Sequence, residues 1–134
     1  MKTHLGHLQI NVKNQEASFP FYKDLFKYFE YEFMSDDKGY FGVTNGTVDF
    51  WIMATEDKYK NNTFHHKNPG LNHICFRVNS KEDVDKFCNE FLKPRNISGL
   101  YNTPKLFPEY APDYYAVYFE DPDKIKLEVT YYSE

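Results

Sequence analysis

Three side chains in this sequence are of the types that hold a divalent ion: His7, His73 and Glu128. Each belongs to a short segment in which apolar residues alternate with polar ones, "HLQINV", "HICFRV" and "IKLEVTYY", and such alternation marks a strand. Successive strand side chains point to opposite faces. If Leu8, Ile10 and Val12 pack under a helix, then His7, Gln9 and Asn11 take the other face. The same rule sets His73, Cys75 and Arg77 against Ile74, Phe76 and Val78. It also sets Lys126, Glu128 and Thr130 against Leu127, Val129 and Tyr131. Two imidazoles and one carboxylate with coordination positions left open form the ligand set of mononuclear Fe(II) sites, and zinc accepts the same donors in catalytic sites. Such an ion serves as a Lewis acid or as a template for substrate. Taken singly, a strand histidine is more often a hydrogen-bonded structural residue, and a strand glutamate more often a solvated one. His4, His65 and His66 have no further support and read as surface residues.

What favours the functional reading is an internal repeat. Residues 6–26, "GHLQINVKNQEASFPFYKDLF", align with residues 72–92, "NHICFRVNSKEDVDKFCNEFL". Each begins with a His at its second position, runs through a strand and meets a helix-start residue, Asn14 or Ser80; Ser80 with Asp83 resembles a capping box. Val84, Phe87, Cys88, Phe91 and Leu92 form the stripe of a buried helix. In the first half Ala17, Phe21 and Leu25 share a face, and Pro20 predicts a bend or a late start. Three strands follow each helix. In the first half they fall near 31–35, 39–44 and 47–54, the last two joined by the hairpin signal Asn45-Gly46. In the second half they fall near 96–102, 114–120 and 125–131. The expected fold is α+β, with two βαβββ modules packed into one curved, partly open mixed sheet and the helices outside. The whole chain, 1–134, reads as one domain: module 1 about 4–55, a polar linker about 56–69 and module 2 about 70–132.

Composition limits the partners. Net charge is −4 with no run of like charges, which argues against nucleic acid and anionic membranes. Aromatic residues make up 19%, a content suited to strands and cavity walls. Two cysteines, Cys75 and Cys88, are too few for a small disulfide scaffold, so both read as reduced thiols and the protein as cytoplasmic. No segment is long and apolar enough to span a bilayer, and "MKTHLGHLQINV" lacks the apolar core of a signal peptide.

The segments "GHLQINV" with "FYKDLF", "GLNHICFRV" and "YYAVYFEDPDKIKLEV" together resemble the vicinal oxygen chelate superfamily of glyoxalases, fosfomycin-resistance thiol transferases, extradiol dioxygenases and metal-free bleomycin-resistance proteins. The last segment is similar to the family's C-terminal signature, with Lys124 where a Gly is usual. The resemblance implies metal ligands at His7, His73 and Glu128, and it places Trp51 where glyoxalases carry a fourth ligand. Indole has only an N–H donor and cannot ligate, so the pattern departs from a four-ligand glyoxalase site and agrees with a His-His-Glu set. Trp51 either stacks on a substrate or fills the concavity as core.

The second half is the longer, and its extra residues lie mostly within 99–115, a proline-punctuated aromatic stretch that reads as a binding loop or a surface crossing. Tyr110, Tyr114 and Tyr118 can bring phenols to the site, and Arg77 can meet an anionic group or pair with Glu120. The expectation is a small divalent-metal enzyme (Fe, Mn, Ni or Zn) of glyoxalase, lyase, dioxygenase or thiol-transferase type. It would act on a small oxygen-bearing molecule, with Trp51, Arg77, Tyr110 and Tyr118 lining the pocket. The competing readings are a metal-free small-molecule binding protein and a purely structural relative. The family also implies a homodimer.

Overall fold

The computed structural model describes residues 1–133 and divides into two compact units, Met1–Thr63 and the part from Phe64 onward. Each unit is one βαβββ module with a four-stranded mixed sheet, ordered β1-β4-β3-β2 in the first and β5-β8-β7-β6 in the second. The α+β class and the doubled module are those the repeat predicts.

In the first unit β1 (His7–Val12) leads into α1 (Gln15–Tyr28), then β2 (Glu32–Asp36), β3 (Tyr40–Thr44) and β4 (Asp49–Ala54). Asn14 starts the helix by accepting the Ala17 N–H at 3.3 Å, satisfying a donor that the first turn leaves free. Pro20 lies inside α1 without delaying its start. The helix buries Phe19, Tyr22, Leu25 and Phe26. Phe19 meets Phe41 edge-on with ring centres 5.3 Å apart, and Phe26 meets Phe50 at 5.0 Å. Ile10, Val12, Phe41, Val43 and Ile52 complete this core, whereas His7, Gln9 and Asn11 are exposed, as strand alternation requires.

The second unit repeats the plan with β5 (Ile74–Arg77), α2 (Lys81–Phe87), β6 (Leu100–Leu106), β7 (Tyr115–Glu120) and β8 (Lys126–Tyr131). Ser80 Oγ accepts the Asp83 N–H at 3.1 Å. The helix continues past Phe87 as a π turn over Cys88–Leu92 and a 3-10 turn over Lys93–Arg95, and the five stripe residues from Val84 to Leu92 are all buried. Phe87 packs on Phe91 and Phe119, at 5.2 and 5.3 Å. The strand expected at 96–102 lies later. Asn96, at φ 55°, ends the helical turns in the left-handed region, so extended pairing begins only at Leu100. Tyr101 and Asn102 also have positive φ, and the β6–β7 register slips between Leu100 and Lys105. Part of the stretch read as a loop is therefore an irregular edge strand, and the connection proper is 107–114.

β8 is an inner strand of the second sheet. Pairing parallel with β5 and antiparallel with β7, it is buried from Lys126 to Thr130 on both faces. Leu127 and Val129 face the helix-side core. The opposite face is roofed by a second cluster of Phe107, Ala116 and Tyr118, with Leu100 and Tyr114 packed against it.

Candidate functional site

Strand register brings the chemistry of the second unit together. Glu128 stands between Cys75 on β5 and Tyr118 on β7 as direct cross-strand neighbours, and His73 immediately precedes β5. The Glu128 carboxyl group is buried, with 1% of its side chain exposed, while 32% of the His73 side chain reaches solvent. A buried carboxylate needs partners to offset lost hydration. One oxygen has such a partner: Tyr114 donates its hydroxyl to Oε1 at 2.6 Å. The other, Oε2, is a buried oxygen without a hydrogen bond, although His73 Nε2 lies 3.0 Å from it. That contact is short enough for an ion pair but fails the alignment of an N–H···O bond, and the alignment is the better guide to whether a proton bridges the two atoms.

The other imidazole nitrogen has a partner of its own. His73 Nδ1 is 2.7 Å from Asn72 Oδ1, and Asn72 is held in that orientation by donating Nδ2–H to the His66 carbonyl at 3.1 Å. In the tautomer with its hydrogen on Nδ1, donated to Asn72 Oδ1, the ring turns the Nε2 lone pair towards Glu128 Oε2. Two such acceptor atoms facing each other in a buried place suit a cation between them. Asn72 thus fixes the orientation of the His73 ring. Among the described residues, no group of three or more His, Cys, Asp or Glu side chains is arranged to hold an ion.

The surrounding groups remain protonated donors. Burial pushes both phenols above their usual range, helped next by the hydrogen bond to Glu128 at Tyr114 and by the Glu128 charge at Tyr118. Burial first and the Glu128 charge second push the Cys75 thiol up to about 12, so Cys75 is no thiolate nucleophile. The Tyr118 ring also meets His73 edge-on, at 5.7 Å.

The remaining sequence-predicted residues take varied places. Tyr110 is 64% exposed, stacked on Phe107 and edge-on to Tyr114. Arg77 donates to the Tyr132 carbonyl at 2.7 Å, and its guanidinium lies 4.2 Å from the centre of the Tyr132 ring; Glu120 meets Lys124 at 3.4 Å. His7 and Trp51 belong to the first unit, His7 opposite Asp49 and Trp51 opposite Gln9. Those registers correspond to Cys75 opposite Glu128 in the second unit, so Trp51 is the structural counterpart of Glu128 and His7 of His73. Trp51 lies over Gly42 so closely that a Cβ there would come within 2.6 Å of the indole, and Gly42 in turn corresponds to Tyr118. Asn72 and Lys126 were not singled out by the sequence, and Tyr114 was named beside Tyr110 and Tyr118 but left out of the expected pocket lining. The signal for Asn72 was its adjacency to His73.

The chain belongs to the glyoxalase/bleomycin resistance protein/dioxygenase superfamily, whose model matches residues 4–129. It is 30% identical over 130 residues to the uncharacterized protein YqjT of Bacillus subtilis (strain 168), covering 93% of this chain and 96% of that one. The crystal structure of a candidate glyoxalase from Bacillus halodurans is similar at a TM-score of 0.86 and 34% identity, over 96% of this chain and 95% of that one. The fosfomycin resistance protein FosX of Listeria monocytogenes shares the fold at a TM-score of 0.69 and 20% identity, over 99% and 96% of the two chains. No helix among the described residues is long and apolar enough to cross a membrane.

Proposed function

We propose that the protein is a divalent-metal-dependent enzyme acting on a small oxygen-bearing molecule. His73 and Glu128 would hold the ion together with His7, the residue at the repeat-related position of the first unit. The observation that carries the reading is the buried, unbonded Glu128 Oε2 facing His73 Nε2 at 3.0 Å. When bound, the ion supplies Lewis-acid stabilisation of negative charge on neighbouring substrate oxygens.

The chain's own residues would then divide the work. Asn72 keeps the His73 hydrogen on Nδ1 and so keeps Nε2 available. Tyr114 holds Oε1, leaving Oε2 as the ligand atom. Glu128 in that role is not free as a general base, and Cys75 has no paired base to make it a nucleophile. Tyr118, beside both His73 and Glu128, presents a phenol wall to the substrate. Trp51 at the fourth-ligand position leaves three protein donors and so keeps coordination sites for substrate.

Metal content is the deciding measurement, made on protein purified without chelator and again after reconstitution with Fe, Mn, Ni and Zn. The expected result is about one ion per chain in the wild type, lost in His73→Ala, Glu128→Gln and His7→Ala. A wild type that takes up none of the four ions would sink the reading and direct attention to metal-free ligand binding at Trp51. Loss in the first two variants but not in His7→Ala would remove only His7 from the ligand set.

A further inference from the structure

Lys126 is buried, with 8% of its surface exposed, and a buried ammonium is costly unless its charge is met. Its surroundings meet that charge incompletely. The nitrogen lies 5.3 Å from the centres of both the Tyr101 and the Tyr118 rings. It also donates to the Tyr101 hydroxyl at 3.4 Å, the long end of the range. None of the ion pairs among the described residues involves it. An ammonium has three N–H donors, and one long bond leaves two for another acceptor.

Its position is as informative as its partners. Lys126 precedes Glu128 by two residues on β8 and so shares its face. The Tyr118 ring that borders the ammonium also borders His73 at 5.7 Å. One phenol therefore lies between the partly enclosed ammonium and the His73–Glu128 pair. A charge partly shielded from water attracts an anion more strongly than one in open solvent.

We propose that Lys126, caged by Tyr101 and Tyr118, is an oxyanion subsite that binds a carboxylate or phosphonate group of the substrate beside the His73–Glu128 pair. The substrate class this implies is a small acid whose anionic group docks on Lys126 while its neighbouring oxygens reach Glu128 and His73. This rests on the proposed function only in taking this face of β8 as the one that receives substrate.

Methylphosphonate and acetate are the probes, titrated calorimetrically into chelator-treated and metal-loaded protein, with Lys126→Met and Lys126→Arg alongside. Binding of at least one probe to the chelator-treated wild type is expected, weakened about tenfold or more in Lys126→Met and recovered in large part in Lys126→Arg, with the competence of each variant checked by its thermal transition. Equal binding by wild type and Lys126→Met, or no binding of either probe in either form, overturns the subsite. Because the first arm contains no metal, the two readings fail separately. Lys126-dependent binding by a protein that takes up no metal keeps the subsite and ends the metal reading, whereas metal uptake with Lys126-independent anion binding does the reverse. If Lys126→Met does not fold, the Lys126 Cε resonance of the wild type, assigned by its absence from Lys126→Arg, replaces it: movement on adding probe supports the subsite, and none overturns it.

Discussion

At the scale of single residues, Tyr114 decides which oxygen of Glu128 is available. By donating to Oε1 at 2.6 Å it leaves the opposite oxygen facing His73, which favours one-atom ligation. Partners of ligating carboxylates and imidazoles are typically worth ten- to a hundredfold in metal affinity. Tyr114→Phe keeps the ring that stacks on Tyr132 at 5.2 Å and deletes only the hydroxyl. In the proposed metal site, this variant's affinity, measured by competition with a chelator, should fall by about tenfold or more, and the visible spectrum of the cobalt-substituted protein should change. An unchanged affinity and spectrum would show that the hydroxyl does not position the carboxylate. Tyr110, exposed at the tip of the same connection, should tolerate the same change with little effect on metal.

At the scale of elements, the two modules use one register for different ends. In β7 and β8 the facing pair is Tyr118 and Glu128, and in β3 and β4 it is Gly42 and Trp51. Gly42 is required by packing, since the indole occupies the space a Cβ would need. Gly42→Ala must displace Trp51 or bend β3, a cost of about 1–3 kcal/mol by comparison with overpacked cores. As Trp51 is the only tryptophan, its fluorescence should shift in the folded variant, and denaturant titration should give the lost stability; an unchanged emission maximum with full stability would refute this packing. The helix caps behave more conventionally. Ser80→Ala removes the acceptor for the Asp83 N–H and should lower stability by about 1 kcal/mol, read as a drop in the urea midpoint.

At the scale of the whole molecule, stability should decline at alkaline pH, and the groups responsible lie in the second unit. Cys75 and Tyr115 are pushed up to about 12 and Cys88 to about 11, each chiefly by burial. Tyr114 and Tyr118 are raised as well, again chiefly by burial. A raised value means that the folded state favours the protonated form. The associated stability is therefore complete below the ordinary values, 9.0 for thiols and 10.0 for phenols, and is lost as pH rises from there through the folded-state values. Urea midpoints should be flat from neutrality to about pH 9 and fall steadily towards pH 12, with a shallower fall in Cys75→Ser. A bound ion should raise the thermal midpoint at pH 7 in proportion to its concentration over its dissociation constant, an effect absent in Glu128→Gln.

The repeat, the strand alternation and the capping residues were legible in the sequence because they depend on neighbours a few positions apart. Period-two patterning placed Leu127 and Val129 against Glu128, and Asn14 and Ser80 marked helix starts through donors within the same turn. The start of β6 was misplaced because the helical turns run on to Arg95 and are closed by Asn96, a local left-handed cap not recognised in the sequence, whereas the register slip after Leu100 reflects pairing with β7. The same distinction holds for the site. Local sequence marked His73 and Glu128 as candidates and set the faces they occupy. Only the tertiary structure decided that Tyr114, rather than Tyr110, meets the carboxylate, that Asn72 fixes the imidazole, and that Lys126 lies buried between two tyrosines. Those relations join residues from separate strands and loops, and hydrogen bonds and ring contacts at 3–6 Å are fixed by how the chain packs, which spacing along the chain does not encode.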